Sequence, residues 1–494
     1  MDESPLGTGE PRELWAIFQS LCAIPHPSRG EAGLAEWIRG RAQRAGLETA
    51  KGAAGNLVIR KPATPGAEDA PGVILQAHLD MVGQAEAGIP HRFDRDPIRP
   101  RISEDEPEWL EATGTTLGAD NGIGVAAALA FAESKGFRHG PFECLFTVNE
   151  EDGMGGARSV DPGELRGSYL INLDHENAGE LCIGCAGTVR IRAEFEAEFA
   201  ASDPDRVGLQ LRVGGLRGGH SGADIHLGRA NASRVLAELL LSAGEGSSWQ
   251  LAAFEGGTAA NAIPRDAVAQ VLLPTSALGR WRSRLDRSIG ELTRRHRAAD
   301  PDLAVTTVEL PPAAQALAPG FSSRLLTCLL ALPNGLIALD PEVPGAVQSS
   351  CNLGIASLKA ERHPGLEVLA MVRSSLESEK EAIAAEVETR LRGLGARTTR
   401  PASAPAWSPE PDSPLVQRAA QVYRARCGAE PVIMATHGGL ECGIFREKFP
   451  HWRMISIGPT IRFPHSPKEA LLMPSVASFW GFLTSLVEAL AREG

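Results

Sequence analysis

The chain reads as an α/β protein, with a central mostly parallel sheet flanked by helices and interrupted by an inserted α+β domain. Three observations predict this. Short apolar strands alternate with helical segments over the first 187 or so residues, the pattern of strands joined by helical crossovers. From about residue 188 the texture changes to strand-rich segments separated by longer helices. A Pro/Ser/Ala-rich stretch, RPASAPAWSPEPDSP, then precedes a return to single strands and helices. The expected domains are therefore 1–187, 188–400 and 401–494, the outer two forming one folded body.

In chain order, residues 13–22 (LWAIFQSLCA) and 31–46 predict amphipathic helices on either side of the turn-rich PHPSRG. VILQAHLDMV (73–82), FECLFTVNE (142–150) and YLINLD (169–174) predict buried strands, each ending in acidic or imidazole side chains. Between the first two, GADNGIGVAAALAFAES begins with glycines and becomes an Ala-rich helix. In the insertion, VGLQLRVGG, WQLAAFEGG and AVAQVLLP predict strands, with helices at ANASRVLAELLLSA and 277–297. LAVTTVEL, FSSRLLTCLLAL, GLEVLAMVRSS and EKEAIAAEVETRLRGLG repeat a similar order, predicting two ferredoxin-like repeats. After the seam come a helix (PLVQRAAQVYRAR), strands (VIMATHGG, MISIGP) and a closing helix (SVASFWGFLTSLVEALARE).

Bulk properties narrow the function. A length of 494 residues exceeds what one core usually serves, and 43% apolar with 22% charged residues is ordinary globular composition. The net charge of −12, without a Lys/Arg cluster, excludes a phosphate-tracking surface, so no nucleic acid partner is expected. The acidic opening MDESPLGTGEPRELWAIF differs from a basic export signal, and no apolar run reaches membrane-span length. Eight scattered cysteines then read as reduced thiols, with a cytoplasmic location and no membrane partner expected. The Cys182–Cys185 pair lacks a second such pair and reads as packing.

The chemistry gathers at strand ends. Ligands of α/β sheets collect outside the carboxyl ends of the strands, which is where these polar residues fall. His78 and Asp80, two apart, share one face of a strand and suit a metal ligand and its orienter, although a strand-end histidine in HLD is common. Asp120 before an apolar helix could be an N-cap, but Gly118, Gly122 and Gly124 around it permit the close approach that a ligand loop needs. Glu150 and Glu151 end a buried strand side by side and repel unless cations or protons compensate; facing opposite ways, one could bind metal and the other meet substrate. Asp174 ends the next strand, and His465 lies between two prolines near the C-terminus. Two imidazoles and three carboxylates without cysteine suit zinc, manganese or cobalt. A GxSxG elbow and HExxH are absent, which disfavours serine and single-zinc helix chemistry.

QAHLDMV, GADNGIG, NEEDGMGGA, NLDHE, GGHSGADI, THGGLECG and GPTIRFPHSPKE, spread over 76–469, together resemble the two-zinc metallopeptidases that include carboxypeptidase G, aminoacylase and carnosinase. The resemblance is greatest to the aminoacyl-histidine dipeptidase subfamily. It implies a catalytic body interrupted by a lid, and two divalent ions, zinc first. His78 and Asp174 would hold one ion, Glu151 and His465 the other, and Asp120 would bridge them. Asp80 would orient His78, and Glu150 would take a proton from the metal-bridging water. His220 of the lid would stabilise the oxyanion, while Asn261, Arg373, His437 and Glu441 would contact substrate. Asn261 as a turn residue and Arg373 as a surface residue at a strand end are equally compatible with their sequence context. The implied reaction is hydrolysis of dipeptides such as β-alanyl-histidine by a protein that could pair through its lid. Amide deacylation or aminopeptidase activity on the same fold is the alternative, and a non-catalytic binding protein a further one.

Overall fold

The computed structural model describes residues 10–203, 205–318, 320–359 and 365–492. The acidic start of the opening segment lies outside the described residues. The chain divides into two compact units: one takes the described residues through Gly184, Pro409–Ala435 and those from Leu440 onward, the other Cys185–Ser408 and Thr436–Gly439.

In the first unit the described residues build an eight-stranded sheet ordered Glu48–Lys51, Leu57–Lys61, Phe142–Thr147, Val73–His78, Tyr169–Asn172, Arg453–Ser456, Glu180–Cys185 and Val432–Thr436. The parallel part is its middle: Val73–His78 runs parallel to both Phe142–Thr147 and Tyr169–Asn172, and Arg453–Ser456 parallel to the latter. Antiparallel pairs flank that middle. His78 lies opposite Thr147, and Gln76 opposite both Leu145 and Asn172, so the parallel strands deliver their carboxyl ends to one edge.

Each of these strands is shorter than its apolar run suggests. Val73–His78 stops two residues before Asp80, Phe142–Thr147 three before Glu150, and Tyr169–Asn172 two before Asp174. The polar residues therefore sit in the exits, where carboxylates need not break a ladder. Beside them the helix Ala119–Glu133 is buried on nearly every side and packs on Val73–His78 and on the helix Arg12–Cys22. Its alanines and glycines leave no polar face to solvate, and burial on all sides is what such a helix requires.

The second unit's described residues form a nine-stranded sheet, whose main path runs Ala304–Leu310, Arg206–Gly214, Ala267–Pro274, Gln250–Gly256, Val347–Lys359, Gly365–Ser374, Gly187–Glu196 and Arg397–Ala404. Inward apolar residues alternate with outward polar ones along Gly187–Glu196, as expected when helices cover one face. Leu278–His296 buries Trp281, Leu285, Ser288 and Leu292, a single helical stripe. Two sequence boundaries shift. Ala304–Leu310, expected to open the second repeat, pairs with Arg206–Gly214 in the first half. Residues of the expected seam, within Arg397–Ala404, form an edge strand against Gly187–Glu196; prolines are tolerated at such an edge.

Candidate metal centre

His78 ends its strand with only 2% of its surface exposed, and its Nδ1 lies 3.0 Å from the backbone carbonyl of Asp80. A carbonyl only accepts, so Nδ1 carries a proton, and in the neutral ring Nε2 presents its lone pair. That nitrogen lies 3.1 Å from Asp120 Oδ1 and 3.2 Å from Asp174 Oδ1. Across the site, His465 Nε2 is 3.0 Å from Asp120 Oδ2 and 2.8 Å from Glu151 Oε1. Asp120 thus turns one carboxylate oxygen to each imidazole. One His78, Asp120 and Glu151 atom apiece lie within 4.8 Å of one another.

This donor set fits divalent cations. Lone pairs facing carboxylate oxygens repel unless positive charge stands among them. Among the described residues, no Lys or Arg forms an ion pair with Asp120, Glu150, Glu151 or Asp174; the ion pairs of Asp120, Glu151 and Asp174 are with histidines. Hydrogen bonds to Asp120 and Glu151 raise the His465 pKa to about 11, so the pocket favours positive charge at that nitrogen. Burial, opposed by the His78 charge and added to by Asp120 and Glu151, lifts Asp174 to about 6.

Asp80 stands beside His78 as expected, its Oδ1 3.6 Å from His78 Nδ1, although the strand has already ended before it. Its backbone carbonyl holds His78, while its carboxylate accepts from the Glu150 N–H at 2.9 Å, the Glu151 N–H at 3.1 Å and the Ser28 hydroxyl at 2.8 Å. Glu150 and Glu151 likewise lie past the strand in a turn, so strand alternation does not separate them; the turn does. Asp120 is no N-cap: its helix begins with left-handed Gly118 and has no side-chain cap bond. A Cβ at Gly124 would stand 2.4 Å from Asn121 Oδ1 and 2.7 Å from the Leu173 carbonyl, so this glycine lets the Asp120 loop meet the Asp174 strand exit. Asn121 Nδ2 donates to Asp174 Oδ1 at 2.5 Å and fixes that carboxylate.

The cap belongs instead to Glu469, which the motif reading passed over although it lies within GPTIRFPHSPKE. Its carboxylate, 2% exposed, accepts from the N–H groups of Leu117 at 2.8 Å, Gly118 at 3.0 Å, Ala119 at 2.8 Å and Asp120 at 3.2 Å. Only its spacing of four residues from His465 could have flagged it. Replacing Glu469 with Ala orphans four buried donors and is expected to cost about 3 kcal/mol or more, read as a lower denaturant midpoint. Glu441 is also fully buried: Oε2 accepts from Gln76 Nε2 and from Thr147 Oγ1, both at 2.6 Å, one strand layer below the ligand exits.

In the second unit, described by itself, Arg373 is 6% exposed, not a surface residue. It donates to Ser221 Oγ at 3.2 Å and to the His437 carbonyl at 3.3 Å. Among the described residues no carboxylate pairs with it, and burial lowers its pKa to about 10. A desolvated guanidinium bound only to neutral acceptors suits an anion. His437 Nε2 lies 2.7 Å from Ser350 Oγ. His220 is exposed, and its Nδ1 accepts from the Gly222 N–H at 3.2 Å, which leaves Nε2–H as the free donor of the neutral ring. Asn261 is exposed in a turn, its carbonyl accepting from Ser221 N–H at 2.8 Å.

Comparison with known proteins follows the same lines. The family description "Peptidase family M20/M25/M40" matches residues 74–489. The chain is 37% identical over 487 residues to the cytosol non-specific dipeptidase of Escherichia coli, covering 99% of each. A crystal structure of aminoacylhistidine dipeptidase from Vibrio alginolyticus superimposes with a TM-score of 0.91 at 38% identity, over 99% of this chain and 98% of that one. Aminopeptidase PepT from Bacillus cereus shares the fold at 15% identity and a TM-score of 0.56, over 98% and 99% of the two chains.

Proposed function

The chain belongs to the peptidase family M20/M25/M40, and from that premise we propose that it is a metal-dependent dipeptidase acting on Xaa-His and other dipeptides. The observation that carries the reading is Asp120, whose two carboxylate oxygens face two different imidazoles, with Glu151 Oε1 2.8 Å from the second. His78 and Asp174 would hold one divalent ion, Glu151 and His465 the second, with Asp120 available to both; zinc suits the set, as do manganese and cobalt. When bound, the ions supply Lewis-acid charge that makes water acidic and polarises the scissile carbonyl.

The chain's own residues do the rest. Glu150 takes the proton from the attacking water and returns it to the departing amine nitrogen. The neutral His220 ring donates from Nε2 to the developing oxyanion, and the Arg373 guanidinium receives the substrate carboxylate. Asn261 and His437 complete the substrate contacts, while the substrate role expected of Glu441 gives way to a bracing one, since it is fully buried and holds Gln76 and Thr147 beneath the ligand exits. Residues 188–400 serve as the lid, with a second copy of the chain pairing through it. The cytoplasm suits a protein similar to a dipeptidase named for the cytosol.

A panel of dipeptides against N-acyl amino acids, with zinc, manganese or cobalt supplied, tests the reading. Dipeptide cleavage is expected, β-alanyl-histidine included, with a chelator silencing it and added metal restoring it. Brisk deacylation without cleavage of any dipeptide would move the protein to the amide deacylases.

A further inference from the structure

We propose that Glu31 is a positioning residue for the reaction: its buried carboxylate, with Asn56 and Asp80, suspends the turn at 148–151 by its backbone N–H groups and sets where Glu150 and Glu151 point. The inference rests on Glu150 being the base.

Four consecutive amides end on side-chain acceptors. Val148 N–H donates to Asn56 Oδ1 at 3.1 Å, Asn149 N–H to Glu31 Oε1 at 2.8 Å, and the Glu150 and Glu151 N–H groups to Asp80 at 2.9 and 3.1 Å. The carbonyls of the same turn are met from the other side. Gly156 and Gly155 donate to the Val148 and Asn149 carbonyls, both at 2.9 Å, while Met154 at 2.8 Å and Gly153 at 3.1 Å donate to that of Glu150. A Cβ at Gly156 would stand 2.3 Å from the Val148 carbonyl, which gives GMGGA a reason: the chain must fold back against its own backbone.

Such a clamp has something to hold. Asn149, immediately before Glu150, has φ of 54°, and Met154 has φ of 58°, the left-handed region that costs a residue with a Cβ. The Asn149 N–H ends on Glu31, so Glu31 holds the strained residue itself. Glu31 is 5% exposed and lies 118 residues away in the chain. It also accepts from the Arg29 N–H at 3.0 Å, and neighbouring Ser28 donates to Asp80 Oδ2 at 2.8 Å, so the two acidic anchors share one loop. Asp80 sits two residues from His78 and cannot be altered without disturbing a metal ligand. Glu31 hydrogen-bonds none of the five proposed ligand side chains among the described residues, so its removal reaches the site through the turn.

A displacement of about 1 Å in a catalytic group can cost on the order of 10²-fold in rate. Glu31→Ala is therefore expected to lower kcat by about 30- to 100-fold at saturating metal, with KM within about threefold, and to lower the melting midpoint by the few degrees that orphaned amides cost. Glu31→Gln keeps an acceptor oxygen for the Asn149 N–H and is expected to restore kcat to within about threefold. Should the alanine variant fail to fold, Glu31→Met, of similar length and without an acceptor, replaces it. The proposal is overturned if the acceptor-free variant, folded and metal-loaded, keeps its kcat, if raising metal to saturation restores the lost kcat, or if Glu31→Gln falls as far as that variant. An active Glu150→Gln protein would instead remove the reading on which the inference stands, so the two failures are told apart.

Discussion

Glu150→Gln is expected to lower kcat by on the order of 10²- to 10⁴-fold while metal content stays at the parent level. The amide keeps the size of the side chain and removes the only property the reaction needs from it, a basic oxygen. Glu150 has no ion pair among the described residues, and its backbone is held by Asp80 independently of its carboxylate. Burial first, then Asp174, Glu441 and Glu151, push its pKa well above the ordinary carboxylate range, against the pull of His78. A base must be deprotonated to act, so a raised pKa means that activity falls as pH drops through a value above the usual carboxylate range; bound cations lower that value. The parent protein is expected to show this acid limb and any residual activity of the variant to lack it. Unchanged kcat in the variant would assign the base elsewhere.

Asp120→Ala is expected to have the second large effect: fewer than two ions per chain at metal concentrations that load the parent, and activity lower by at least about 10³-fold. Both oxygens of this carboxylate are committed, 3.1 Å from His78 Nε2 and 3.0 Å from His465 Nε2. Removing it leaves each imidazole with one carboxylate partner, Asp174 or Glu151, too few to hold two like charges near one another. Elemental analysis after dialysis against the metal reads the stoichiometry directly. A variant that retains two ions and full activity would show that Asp120 is not shared between them.

Much of the architecture was legible because periodicity and punctuation are local. The strand at 73–78, the Ala-rich helix after GADNGIG and the closing helix at 473–490 each announce themselves in a single window of sequence. What failed was what depends on partners. Apolar runs continued past His78 and Thr147, but the ladders stop there because the following backbone groups are taken by turns and side chains. LAVTTVEL looked like the start of a repeat, and only its pairing with Arg206–Gly214 assigns it to the first half.

The site divides in the same way. Sequence by itself determined which chemistry was available: carboxylates and imidazoles gathered where apolar strands end, in a chain of net charge −12. Tertiary structure decided their geometry, bringing His465 to Asp120 across 345 residues, setting the Glu469 carboxylate over four amides at the helix start, and placing the Asp80 carboxylate between His78 and the Glu150 turn. The physical reason is the reach of the interactions. Side-chain periodicity and turn chemistry act over a few residues, whereas a buried carboxylate takes whichever donors the packed chain brings within about 3 Å, and no local pattern encodes that list.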